Sequence, residues 1–173
     1  MTKKIVVITG PESCGKTTLA RQLAGHWEAP LVNEAARDYL QRKDSYQESD
    51  LLEIAKLQSA MEQEKTVISA EKLVCDTDLL VILIWSEVKY GRCDPWIRET
   101  LENCFNKKSL TRHYILCDPK IPWQQDRLRE NPYNRDELFA VYLKKLRDYK
   151  LAYSIVRGGP QERFQQALDC FKY

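Results

Sequence analysis

Residues 10–17 read Gly10-Pro11-Glu12-Ser13-Cys14-Gly15-Lys16-Thr17, which meets G-x-x-x-x-G-K-[ST] at every required position. This motif constrains the fold more than any other feature, because it works in one setting only: a strand must deliver the first glycine and a helix must open at the lysine. Both flanks comply. Ile5-Val6-Val7-Ile8 is a continuous apolar run, the pattern of a strand buried on both faces. From Lys16 onward, Leu19, Leu23 and Trp27 recur at four-residue steps, the period of a helix face. Chance alone gives such a motif in about one chain in a hundred of this length, before the flanks are counted. Its glycines let backbone N–H groups turn inward around an anion, and the positive end of the next helix adds to the attraction. Lys16 is placed for β- and γ-phosphates and the Thr17 hydroxyl for Mg²⁺. Gly10 to Thr18 is therefore the expected ATP-binding segment. Cys14 either fills an inner position of the loop as a small residue or, beside a helix N-terminus, has a thiol activated for redox chemistry.

The rest of the chain alternates short apolar runs with amphipathic stretches. Leu31-Val32, Leu73 to Cys75, His113 to Cys117 and Tyr153 to Val156 read as strands. Helices are expected from Ala35 to Arg42, from Asp50 to about Lys72, from Asp78 to Tyr90, from Asp94 to about Phe105, from Asp136 to about Leu151 and from Gln161 to Phe171. Lys107 to Thr111 reads as a basic loop. Strands alternating with helices give an α/β domain of the P-loop NTPase type: a five-stranded, mostly parallel sheet with helices on both faces. Residues 119–135 are proline-punctuated, with Pro119, Pro122 and Pro132, and read as a small lid on a single kinase-sized domain spanning 1–173.

Composition narrows the partners. Lysine and arginine total 27 against 25 acidic residues, a net charge of +2, which supplies no bulk field for nucleic acid or anionic lipid. The longest apolar run, Leu79 to Trp85, is far below the roughly 20 residues of a membrane span. Six cysteines carry no Cys-x-x-Cys spacing, and only two histidines accompany them, so a structural zinc site is not expected. A small-molecule partner, no nucleic acid, no membrane and a reduced, cytoplasmic setting follow; the oligomeric state is left open.

Charged residues fall where phosphate chemistry needs them. Asp76 follows the third strand directly, at the sheet edge where ligands of open α/β sheets bind. It is the first choice for holding Mg²⁺ or its waters and for orienting an acceptor hydroxyl. Asp78 is a candidate for the acceptor, or caps the next helix. Arg127 and Arg129 are candidates to neutralise a transferring phosphoryl group from the lid, or lie on a solvated helix face. Trp85 and Trp123 are candidates to stack on a substrate ring, although tryptophan is commonly core. Gly158-Gly159 either exposes backbone to a nucleotide base or makes a plain turn.

These residues together resemble a known family. Ile8 to Thr18, then Glu34-Ala35-Ala36-Arg37-Asp38-Tyr39-Leu40, Asp76-Thr77-Asp78, Ile84 to Gly91, and Pro122-Trp123 followed by Arg127 to Asn131 are similar to the nicotinamide riboside kinase domain of NadR-type proteins. The resemblance runs over nearly the whole chain. It implies an adenylate-kinase-like fold that phosphorylates the 5′-hydroxyl of nicotinamide riboside, with MgATP as donor, to give nicotinamide mononucleotide. Glu34 and Arg37 become candidates for the ribose or amide end of the acceptor. Trp85, Tyr90 and Trp123 become candidates to stack on its cationic ring, with Glu34 and Glu87 as the acidic partners. Because the chain starts close to the first strand, it reads as a stand-alone kinase domain, and the adenylyl transfer and repression of NadR-type proteins are not carried over. Another nucleoside or small metabolite as acceptor, and a nucleotide-binding regulatory ATPase, are the competing readings.

Overall fold

The computed structural model describes residues 3–41, 43–69, 71–107, 109–125 and 133–172. Five parallel strands form one sheet: β1 (Lys3–Thr9), β2 (Leu31–Val32), β3 (Lys72–Asp76), β4 (Leu110–Cys117) and β5 (Ala152–Val156). Their spatial order is β2-β3-β1-β4-β5, so β1 is central and its successors fall on both sides of it. The carboxyl end of β1 is thereby the point where the winding reverses, which opens a crevice there.

Among the described residues seven helices cover the sheet: α1 (Lys16–His26), α2 (Ala35–Leu40), α3 (Glu48–Ile68), α4 (Leu79–Tyr90), α5 (Pro95–Phe105), α6 (Arg135–Asp148) and α7 (Pro160–Asp169). Strand side chains alternate between two cores, as the period of two dictates. Ile5, Val7, Leu73, Cys75, Tyr114 and Leu116 pack on one face with α2 to α6. Val6, Ile8, Val74, Ile115, Cys117 and Val156 pack on the other with α1 and α7. Burial on both faces is why these strands read as unbroken apolar runs.

Local chemistry sets the helix limits. Asp78 accepts from Leu80 N at 3.0 Å and Asp94 from Trp96 N at 2.8 Å, capping α4 and α5. Gly91, at φ 69°, ends α4 in the left-handed conformation. The run from Leu79 to Trp85, apolar enough for a strand, is helical because a cap precedes it and β3 has just ended. Some boundaries moved: β4 starts at Leu110, not at His113, because Lys3 to Ile5 of β1 extend the pairing to Leu110, Thr111 and Arg112, and α3 ends at Ile68, not near Lys72, because Lys72 opens β3. No helix among the described residues is long and apolar enough to cross a membrane.

Candidate active site

The turn after β1 is built by left-handed residues: Gly10 at φ 136°, Ser13 at 53° and Gly15 at 81°. Gly10 has a second reason to lack a side chain, since a Cβ there would stand 2.8 Å from the Cys117 carbonyl oxygen. The turn hands the chain to α1 at Lys16, so the helix N-terminus faces the loop's interior. Lys16 Nζ donates to Pro11 O at 2.7 Å and to Gly10 O at 3.0 Å. Burial opposes its charge, but Cys14, Tyr142, Glu34 and Asp76 outweigh that and raise its pKa.

Three neighbouring segments clamp the loop from outside. Arg163 of α7, only 3% exposed, donates to Gly158 O at 2.6 Å, Cys14 O at 2.6 Å and Asp118 O at 2.8 Å. Arg135 at the start of α6 donates to Ser13 O and Ile121 O, and Gln124 N donates to the Ser13 hydroxyl. A trans peptide points its N–H opposite its carbonyl, so turning Cys14 O to Arg163 sends the Gly15 N–H the other way.

The loop forms one side of a cavity of about 560 Å³, lined by Gly10 to Leu19. Gly158, Pro160 and Arg163 close one end. At the other, Val81, Ile84, Trp85 and Val88 of α4 form an apolar wall, with Glu34 and Arg37 of α2 and Tyr142 of α6 beside it. Gln58 of α3 positions the α2 side: it accepts from Ala35 N at 2.8 Å and donates to Asn33 O at 3.3 Å. Glu34 and Arg37 approach to 4.0 Å. The Trp85 ring is fixed by its Nε1 bond to the Tyr46 hydroxyl at 2.9 Å, edge-on to the Tyr46 ring.

Asp76, 3% exposed, sits behind the loop and is not itself part of the cavity wall. Burial pushes its carboxyl above the usual aspartate range, against a hydrogen bond from Thr17 and the charges of Lys16, Arg21 and Arg37. Among the described residues its Oδ1 is buried without a hydrogen-bond partner. That orphan oxygen beside a threonine hydroxyl fits a magnesium site, which usually takes one or two protein ligands and fills the rest with phosphates and water. No cluster of three His, Cys, Asp or Glu able to hold a metal exists among the described residues.

Several expected residues lie elsewhere. Asp78 faces away from the cavity: its carboxylate caps α4, accepts from the Tyr114 hydroxyl at 2.7 Å and pairs with Arg112 at 3.0 Å. Arg112 also pairs with Glu62, so Asp78 belongs to a buried ionic cluster, and the capping alternative holds. The cause is Thr77, at φ 72°, which turns the chain so that its two aspartates diverge. Tyr90 packs on the core behind α4 and does not line the cavity. Trp123 lies outside it as well, with the Arg135 guanidinium 5.6 Å above its ring. Glu87 is neutralised by Arg98 at 2.8 Å and Lys145 at 2.5 Å. Gly158 reaches the cavity wall while Gly159 does not. Arg127 and Arg129 lie outside the described residues, as does the centre of the expected lid. Tyr142 and Arg163 are among the cavity residues that the sequence reading did not single out. Tyr142 was findable from the Leu138, Tyr142, Leu146 stripe, whereas Arg163 looks like any surface arginine on an amphipathic helix.

Known proteins share this architecture. A crystal structure of NadR protein in complex with NR superposes with a TM-score of 0.72 at 23% identity, over 96% of this chain and 48% of that one. This chain thus spans about half the length of the NadR chain it matches. Thymidylate kinase from Ehrlichia chaffeensis gives 0.67 at 10% identity, covering 99% and 100%. Deoxyadenosine kinase from M. mycoides, with its products bound, gives 0.64 at 13%, covering 96% and 97%. No curated protein matches the sequence. The sheet, the loop and these superpositions are those of the P-loop NTPase fold, and a family model described as an AAA domain matches residues 5–163. Nearly the whole chain answers to that model, and it belongs to the AAA domain family.

Proposed function

We propose that this protein is an ATP-dependent kinase that transfers the γ-phosphoryl group of ATP to the 5′-hydroxyl of nicotinamide riboside. The observation that carries the reading is Asp76: a buried carboxylate with an unpartnered oxygen, held by Thr17 against the phosphate loop. A carboxylate left unsatisfied in the interior is costly for folding and fits a role in binding or catalysis. Lys16 and the loop N–H groups hold the ATP phosphates, and Gly158 lies where the base end of the nucleotide leaves the loop. Thr17 and Asp76 would hold Mg²⁺, which when bound neutralises charge between the β- and γ-phosphates. Asp76 orients the acceptor hydroxyl or, from behind the loop, the waters of the metal. Arg127 and Arg129 are the sequence's cations for the transferring group.

The acceptor half of the cavity supports a flat, cationic ring. Trp85 offers an aromatic face held rigid by Tyr46, and Glu34 supplies a carboxylate on the neighbouring wall. Stacking a cation on such a ring contributes about 0.5–2 kcal/mol, more as water is excluded. One observation favours an uncharged nucleoside as acceptor instead: Arg37 and Lys89 line the same wall. The test is ADP release across a panel of nucleosides, with Lys16→Ala as control. The proposal requires acceptor-dependent turnover, highest with nicotinamide riboside and lost in the variant. Hydrolysis unaffected by any acceptor would reject a kinase of any kind.

A further inference from the structure

Two cysteines meet at the root of the phosphate loop. Cys14 is the loop residue before Gly15, and Cys117 is the last residue of β4. Pairing of Thr9 with Leu116 sets Gly10 beside Cys117, and Gly10 is what admits the second sulfur. A Cβ on Gly10 would stand 3.1 Å from Cys14 Sγ and 3.3 Å from Cys117 N, so any side chain there would part the two residues. In its absence both cysteine side chains enter the same buried cluster, close enough that a hydrogen bond between them shifts both titrations. Lys16 Nζ lies 3.9 Å from Cys14 Sγ.

The electrostatics divide the labour between the sulfurs. Burial pushes the Cys14 thiol up, but the Cys117 bond, the Lys16 and Arg163 charges and the Lys16 backbone N–H bring it down to about 7. The same bond and burial hold the proton on Cys117. A thiolate beside a protonated thiol is the arrangement of an attacking and a resolving cysteine. Cys14 is 1% exposed but lines the cavity, which is the side from which an oxidant would approach it. Cys117 is fully buried in the same core cluster as Cys14.

We propose that Cys14 and Cys117 are a thiol pair that a hydroperoxide converts to a disulfide, shutting the phosphate loop to nucleotide. The Cys14 thiolate attacks the peroxide O–O bond, giving a sulfenic acid and, with one proton, water or an alcohol. The Cys117 sulfur then displaces hydroxide from the sulfenic acid, and its proton leaves with that hydroxide as water. The peroxide is reduced by two electrons and the two thiols are oxidised by two. A covalent tie from the loop to β4 removes the thiolate beside Lys16 and fixes the turn that must adjust to phosphates. The control of binding rests on the nucleotide-binding reading above, whereas the linkage itself does not.

The experiment treats the full, fully reduced chain with hydrogen peroxide, with and without MgATP. Peptides are mapped by mass spectrometry, and binding of a fluorescent ATP analogue is measured before oxidation, after it, and after dithiothreitol. The expected result is a Cys14–Cys117 cross-linked peptide, slowed by MgATP, with nucleotide affinity down by about tenfold or more and restored by dithiothreitol. In Cys117→Ser, Cys14 should proceed to sulfinic acid, and the lost affinity should not return with dithiothreitol. Absence of the cross-link in the wild-type protein, or a cross-linked protein that binds nucleotide as well as the reduced one, overturns the proposal. A reduced protein that binds no nucleotide contradicts the functional reading instead, and the peptide map still decides the linkage.

Discussion

Asp76 and Asp78 are two residues apart, follow the same strand, and do unrelated work. Sequence alone offered both for the crevice, with helix capping as the alternative for Asp78; in an extended chain residues two apart would point to the same side. Thr77 breaks that rule. A β-branched residue at φ 72° is strained by about 1–3 kcal/mol, and the turn it makes sends the two carboxylates to different surroundings, one behind the phosphate loop and one in an ionic cluster. Nothing in the letters Asp-Thr-Asp announces it. Asp76→Asn therefore makes two opposite changes. Turnover should fall by about a hundredfold or more, the scale of a positioned acid–base group. Stability at neutral pH should rise by about 1 kcal/mol in urea unfolding, because a buried charge is removed. The sign in pH follows from burial, which raises the folded-state pKa above that of the unfolded chain. Between those two values the folded protein keeps a proton that the unfolded one has lost, so the wild type loses stability as pH rises through the window. The Asn variant should lack that loss, and a variant less stable than wild type at pH 7 would contradict the assignment.

Strand and helix periodicity makes the elements recognisable from sequence, since each element buries a face and the apolar spacing records it. Long-range hydrogen bonds leave no such record. Arg163 joins the carbonyls of Cys14, Asp118 and Gly158, which are up to 149 positions distant in sequence. From sequence, α7 shows only an amphipathic helix with an arginine on it. The clamp should matter twice over: for stability, because three carbonyls depend on it, two of them buried, and for the site, because it fixes the loop. Arg163→Ala should cost about 3 kcal/mol in urea unfolding, given that bonds to a charged donor contribute about 1.5–3 kcal/mol each and that their loss is not additive. Arg163→Lys should recover only part, since an ammonium lacks the planar fork that reaches diverging acceptors. Helix α4 shows the converse case. Its apolar run Leu79 to Trp85 announced burial, and its cavity-facing edge adds Trp85, whose ring should set acceptor preference. Trp85→Leu should cut the preference for nicotinamide riboside over uridine by about tenfold in kcat/KM while leaving ATP affinity unchanged, and Trp85→Phe should retain most of it. An unchanged ratio in steady-state competition would remove Trp85 from the acceptor site.

At the scale of the whole molecule, the central strand, the loop that follows it and the reversal of winding put phosphate binding at one fixed place. That place was legible because G-x-x-x-x-G-K-[ST] needs strand, turn and helix in that order, and the chain supplies them. The acceptor half was less legible. It is assembled from α2, α4 and α6, whose side chains meet only after the sheet has ordered them, and Tyr90 and Trp123 fell outside it while Tyr142 fell within. The same scaffold is found in NadR, thymidylate kinase and deoxyadenosine kinase structures, so the scaffold alone does not choose among acceptors. The choice rests on charge at the ring. The most direct measurement follows phosphate transfer from γ-labelled ATP to nicotinamide riboside and, in parallel, to its uncharged reduced analogue. The account predicts labelled nicotinamide mononucleotide, with kcat/KM for the charged ring higher by about tenfold or more, equivalent to about 1.4 kcal/mol. Equal transfer to both rings, or label appearing only as free phosphate, would contradict it.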